Sequence, residues 1–174
     1  MTKKSHDSET PAHGQQVISV CAFIHHDFDD GVKVFLPKRA KTKKFLPDKY
    51  ELPGGHVDYG EQLVVALKRE IKEELNMSIK VGDPFAAFTY ENTIKGSHSV
   101  EVIYFTMFVE AIDQITIQTE DHSGYEWFTK EEVIQHKQDL TATEHAIYAE
   151  EEDPEYTTIL KGFELLDHKP LKFS

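Results

Sequence analysis

Strand-like runs on both sides of one long helical stretch, with a second helix start after the last of them, predict a mixed domain of class α/β or α+β. Residues 17–25, 32–37, 85–92 and 100–110 are rich in β-branched and aromatic residues. Residues 63–75 contain no Gly or Pro and consist mostly of good helix formers. With 174 residues, 39% of them hydrophobic, the chain is long enough for one domain with a sizeable core.

The elements follow in order. Residues 1–15 are polar, with Pro11 and Gly14, so the expectation is a disordered leader over residues 1–16. A single domain over 17–174 would follow it, ending in a C-terminal helix. The apolar run 17–25 reads as a buried strand. Asp27, Asp29, Asp30 and Gly31 then make a turn, and 32–37 return as the second strand of a hairpin. That acidic turn lacks the later Glu that a calcium loop needs. Residues 38–49 hold Lys38, Arg39, Lys41, Lys43, Lys44 and Lys49, six of the 19 basic residues of an acidic chain. They form either a solvated loop or a cationic rim leading into Gly54 and Gly55. Residues 50–52 read as a short strand. After the helix, 78–81 are extended, Gly82-Asp83-Pro84 is a turn, and Lys95-Gly96 joins two strands over 85–92 and 100–110. Residues 115–118 and 125–128 read as further strands. Thr129 opens a helix with a capping box completed by Glu132. Residues 141–152 are expected to be helical. Asp153 at N-cap and Pro154 at N1 start a last helix. Its stripe of Ile159, Leu160, Phe163 and Leu166 closes the core or forms a homodimer contact.

The central helix carries the chemistry. At 3.6 residues per turn, Glu70, Glu73 and Glu74 share one face, and Val64, Leu67, Ile71 and Leu75 fall on the neighbouring one. Like charges three and four apart repel by a few tenths of a kcal/mol, on the order of 0.2–0.5 per pair, and a hard cation reverses that sign. Mg²⁺ and Mn²⁺ take carboxylate oxygens and keep coordination positions for substrate phosphates. Gly54 and Gly55 allow close backbone approach, and Asn76 ends the helix where left-handed geometry is usual.

From Gly55 the chain reads Gly, five residues, Glu61, seven residues, Arg69, Glu70, Ile71, Lys72, Glu73, Glu74, Leu75, Asn76, Met77. This resembles the Nudix box, with Asn76 in place of the usual Gly. Asp121-His122 followed by Trp127 and a helix start resembles another part of the family pattern. The likeness spans residues 17–138 and is specific only in the box. It implies the Nudix fold, a mixed β-sheet sandwiched between helices in the α/β class. It also implies metal-dependent hydrolysis of a nucleoside diphosphate linked to another group.

On that resemblance Glu70, Glu73 and Glu74, with the Gly54 carbonyl, are expected to hold Mg²⁺ or Mn²⁺. Glu70 is the first choice for accepting the proton of the attacking water and Glu73 the second. Gly55, Glu61 and Arg69 are expected to be structural. Family members often recruit a further acid from a distant loop, for which Glu120 and Asp121 are candidates. Arg39 and Lys41 are candidates for the substrate phosphates, and Phe45, Tyr90 and Trp127 for the base, with core packing the favoured reading of Trp127 because large aromatics are mostly buried. The Pro and Tyr that mark ADP-ribose and dinucleoside-polyphosphate enzymes beyond the box are replaced by Asn92, Thr93 and Ile94. That favours a nucleoside triphosphate or a modified one, split into a nucleoside monophosphate and pyrophosphate. The alternative is a catalytically silent sensor of the same fold that binds a nucleotide.

Charge and cysteine content set the remaining expectations. A formal net charge of −12 argues against a nucleic-acid partner, whereas a small-molecule nucleotide remains compatible through a bridging cation. Cys21 is the only cysteine, so no intrachain disulfide forms, and a cytoplasmic location fits. The longest apolar run is too short to span a bilayer, so no membrane partner is expected.

Overall fold

The structure, a computed structural model, describes residues 9–141, 146–148, 152–168 and 173. Its strands are β1 (Gln16–Phe28), β2 (Gly31–Arg39), β3 (Gly54–His56), β4 (Ile79–Asn92), β5 (Ser97–Phe108), β6 (His122–Phe128) and β7 (Ala146–Tyr148). Its α-helices are α1 (Leu63–Leu75), α2 (Lys130–Gln135), α3 (Lys137–Leu140) and α4 (Pro154–Leu166). The strands form one mixed sheet in the order β6-β2-β1-β5-β4-β7, with β3 added to β1 off that path. β1 and β5 run parallel at its centre, and the other pairs are antiparallel.

Packing on both sides explains why β1 lacks a polar face. Val20, Ala22 and Ile24 join Ala66, Leu67, Ile71 and Leu75 of α1 in one core cluster. Cys21 and Phe23 point the other way and join Ile159 and Phe163 of α4. Both faces of the strand are buried, so its sequence reads as a continuous apolar run. The sheet therefore lies between α1 on one side and α4 on the other, and the apolar stripe of α4 is used inside the domain.

Local chemistry sets the helix ends. Asn76 takes φ 54° and donates its backbone N–H to the Lys72 carbonyl, the left-handed cap expected there. Thr129 and Glu132 exchange both hydrogen bonds of a capping box. The Asp153 carboxylate accepts from the backbone N–H groups of Glu155 at 2.9 Å and Tyr156 at 3.2 Å.

Several expectations are corrected. Residues 82–84 make no turn: β4 runs through them with a register shift between Val81 and Ala86. Residues 115–118 are not a strand. Their backbone instead caps α1, with the Thr116 and Gln118 amides donating to the Leu75 and Glu74 carbonyls that the helix leaves unpaired. Residues 50–52 contribute only an isolated bridge, Tyr50 to Lys38. Residues 146–148 are strand, not helix, and pair with β4 through Tyr90 and Tyr148. Part of the stretch expected as a leader is held by the fold. The Ala12 and Gly14 amides donate at 2.9 Å to the Lys95 and Gly96 carbonyls, which ties residues 12–14 to the β4–β5 turn. Residues 1–8 and the remaining parts of 141–152 lie outside the described residues.

Gly162 lets α4 lie close on the sheet: a Cβ there would stand 2.5 Å from the ring of the fully buried Phe23. That ring is already enclosed by Phe85, Phe105 and Phe163. Gly162→Ala is expected to lower stability by about 1–3 kcal/mol through overpacking. Thermal melting checks it; an unchanged midpoint would mean that the helix shifts freely.

Candidate active site

β1 changes partners along its length. Ser19 to Cys21 pair with β3, whereas His25 to Phe28 pair with β2. Between them the Ala22 amide donates to the Pro53 carbonyl at 2.8 Å. A cavity of about 460 Å³ opens at this fork.

The first wall is β3 and α1. Gly54 has φ 151°, and a Cβ on it would fall 2.1 Å from the Val20 carbonyl oxygen. A Cβ on Gly55 would fall 2.6 Å from the Glu70 carboxyl group. Only glycine at both positions lets β3 fit between β1 and the helix carboxylates. The Gly54 amide donates to Glu74 at 3.3 Å. Behind the wall, the Arg69 guanidinium donates to both Glu61 oxygens, to the His56 carbonyl, and to Glu70 at 2.6 Å. It also reaches Glu73 at 3.4 Å, whose side chain is 55% exposed. Burial raises the Glu70 pKa against the pull of Arg69. Burial, with Glu51, Glu70 and Asp121 adding negative charge, raises that of Glu74 well above its ordinary value.

The second wall carries the positive charges, and each is engaged. Arg39 is buried, donates to the Phe45 carbonyl at 2.7 Å, and forks onto Glu51 at 3.0 and 3.1 Å. His122 Nε2 stands 3.0 Å from the same carboxylate. Burial works against the Glu51 charge, but Arg39 and His122 outweigh it and hold its pKa below the usual range. Lys43 pairs with Asp121 at 2.5 Å.

The inner end is aromatic and acidic. Phe45 and Tyr90 lie near-parallel, with centroids 6.1 Å apart at 18°. Phe88 and Tyr148 line the cavity beside them, with Cys21, Glu101 and Glu155. The Glu155 carboxylate accepts from the Leu52 amide. Burial pushes the Glu101 carboxyl up to about 7; Glu51 and Asp153 add negative charge, while the Cys21 and Tyr90 hydrogen bonds oppose.

The fold thus brings Gly54, Gly55, Glu70, Glu73, Glu74, Arg39, Phe45, Tyr90, Glu120 and Asp121 around one cavity. Lys41 is corrected: its side chain is 79% exposed, it sits 3.9 Å from Asp48, and it does not line the cavity, where Lys43 stands instead. Trp127 takes the favoured of its two readings, packing among Phe28, Phe35 and Phe108. Glu51, Glu101, His122, Tyr148 and Glu155 were not anticipated. One signal was available: Glu101 interrupts an inward strand face shared with Ile103 and Phe105.

The acids on the first wall are hard oxygen donors with a surplus of negative charge, which suits a divalent cation. Among the described residues, no three His, Cys, Asp or Glu side chains already converge as a metal cage.

A NUDIX domain model matches residues 16–150. The chain belongs to the Nudix hydrolase family. As a Nudix hydrolase it is a pyrophosphohydrolase, an enzyme acting on phosphoanhydride bonds. It is 29% identical over 137 residues to an uncharacterized Nudix hydrolase of Listeria innocua, covering 76% of each chain. It is 25% identical over 122 residues to the nucleoside triphosphatase NudI of Escherichia coli, covering 66% of this chain and 83% of that one. In fold it is similar to the MutT protein of Methanosarcina mazei, with TM-score 0.67 and 22% identity over 92% of this chain and 99% of that one. The Nudix fold expected from the box is the one observed, and no helix among the described residues is long and apolar enough to cross a membrane.

A carboxyl whose folded pKa exceeds its unfolded value binds more protons when folded, so stability falls as pH rises through that window. For Glu101, faced by Cys21, Tyr90, Glu51, Asp153 and Glu155, the window runs from the ordinary value of 4.5 to about 7. In chelator, Glu101→Gln is therefore expected to gain stability on the parent as pH rises, by on the order of 1–3 kcal/mol near pH 8. Melting curves across that range check it, and a pH-independent difference would contradict it.

Proposed function

We propose that this hydrolase is metal-dependent and splits a nucleoside triphosphate, or a modified one, into a nucleoside monophosphate and pyrophosphate. The observation that carries the reading is the single cavity joining the α1 carboxylates to the Phe45–Tyr90 aromatic pair. A phosphate chain directed at the first wall leaves its base at the inner end. The similarity to a nucleoside triphosphatase supports the same substrate class.

Glu70, Glu73, Glu74 and the Gly54 carbonyl would hold Mg²⁺ or Mn²⁺. A divalent cation there supplies charge neutralisation for the phosphates and an acidified water. Glu70 is assigned to accept the proton of the attacking water, with Glu73 second. Its bond to Arg69 fixes the carboxylate against Gly55. Arg69 and Glu61 position the wall and stay off the substrate. Arg39 and Lys43 face the phosphate path, and Lys43 must exchange Asp121 for a phosphate oxygen to contribute. Asp121 and Glu120 are the acids placed to join the site from the loop before β6.

A panel of nucleotides tests the reading, with phosphate and pyrophosphate release measured separately. Turnover should stop in excess chelator and return with Mg²⁺ or Mn²⁺. In ¹⁸O water the label should enter the nucleoside monophosphate or pyrophosphate. Label confined to orthophosphate, with a diphosphate product, would overturn the assignment. A nucleotide bound without turnover under every metal would mark a sensor instead.

Two substitutions separate geometry from charge. Gly55→Ala forces the Glu70 carboxylate aside and should cost about a hundredfold in kcat, the scale for a misplacement of about 1 Å. Glu74→Gln should stay folded and lose most activity. A normal rate in either folded variant removes that residue from the machinery.

A further inference from the structure

α4 lies beyond residues 16–150, the span that matches the family, yet its first turn completes the cavity. Glu155 projects from that turn, and Glu101 comes from the α4-facing side of β5. Resting on the nucleotide reading above, we infer that Glu101 and Glu155 select the nucleobase, accepting hydrogen bonds from an exocyclic amino group at the inner end of the cavity.

The placement supports this. Both carboxyl groups line the same cavity as Glu70, Glu73 and Glu74, and its volume of about 460 Å³ lies within the range of small-molecule sites. Both act on Tyr90, whose ring lies near-parallel to that of Phe45 in the same cavity. Charge defines what they take. The ion pairs described in the cavity commit Arg39 to Glu51, Lys43 to Asp121, and Arg69 to the α1 acids, and His122 lies within hydrogen-bond distance of Glu51. Neither Glu101 nor Glu155 is joined to a Lys, Arg or His among the described ion pairs. In the ionised form the pair repels an anionic group and turns lone pairs on a carbonyl edge, and a bound N–H donor offsets the cost of ionising carboxyl groups whose pKa burial raises. An N–H donor is favoured.

The carboxyl groups also keep capacity for a ligand. Each carboxylate offers about four lone-pair sites. Glu155 spends one on the Leu52 amide, and Glu101 accepts from the Cys21 thiol and the Tyr90 hydroxyl. These contacts hold the groups in place without exhausting them. Glu155 is further fixed because α4 seats Gly162 against Phe23. A site built to hydrogen-bond a substrate N–H discriminates strongly against an analogue that lacks it, since buried acceptors are then left unpaired.

The test compares substrate pairs that differ only by amino against carbonyl: dCTP with dUTP, and ATP with ITP. In the pair that is turned over faster, the wild-type enzyme should favour the amino member by at least about tenfold in kcat/KM, mostly through KM. Glu155→Gln and Glu101→Gln each present an amide N–H₂ that suits a carbonyl, and in the first of them the side-chain amide keeps an oxygen for the Leu52 N–H. Each should bring the ratio to within about threefold of unity. Melting curves establish that the variants are folded; if one is not, the other decides. Equal use of both members, preference for the carbonyl member, or an unchanged ratio in a folded variant would overturn the inference. Turnover without discrimination leaves the nucleotide reading intact and removes only this one. No turnover of any nucleoside triphosphate removes both.

Discussion

The site depends on one steric constraint: β3 passes between β1 and α1 with no side chain at two consecutive positions. At Gly54 the obstacle is the Val20 carbonyl, and at Gly55 it is the Glu70 carboxyl group. Because β3 fits there, β1 can leave it and take β2 as its partner farther along, which opens the fork that becomes the cavity. Because Glu70 is pressed against Gly55, Arg69 can hold it while also gripping Glu61 and the His56 carbonyl. Strand, turn and helix are thereby locked into one rigid wall. The close approach demands glycine and the carboxylates demand a helix face, so the two requirements meet in one short stretch of chain.

The interior is arranged around unbalanced charge. Arg39 and Lys43 neutralise Glu51 and Asp121, His122 lies within hydrogen-bond distance of Glu51, and Arg69 partly offsets the α1 acids. Glu74, Glu101 and Glu155 remain with pKa values raised by burial and then by neighbouring carboxylates, Glu51 among them in each case. Such groups weaken the empty fold, and it tolerates them because β1 is sealed by apolar packing on both faces. The trade of stability for a charged interior is the one expected where a cation and a polar ligand are to be bound.

What was legible in the sequence was what is decided locally. The face shared by Glu70, Glu73 and Glu74, the Asn76 cap, the Thr129 box and the Asp153-Pro154 start depend on a few neighbouring residues, and each stands as read. The two-faced burial of β1 was legible because both clusters leave an unbroken apolar run. Residues 115–118 misled because their alternation serves the end of α1 and not a sheet. Lys41 and Lys43 could not be told apart, since the loop that orients them passes through left-handed backbone at Leu46 and Asp48. Glu101 and Glu155 meet only because β5 and α4 pack on the same face, a juxtaposition no local pattern encodes.

The cavity's two ends come from different parts of the chain. The box and β3 build the end with the acidic helix, whereas the opposite end is closed by β7 and by α4, which follows the segment common to the family. On the proposed reading, changes in this tail reshape what the enzyme accepts while leaving the α1 wall untouched. Such a layout lets one chemical engine be inherited intact while its appetite drifts. It also means that an excised domain ending at residue 150 would keep the box and lose Glu155 from the cavity.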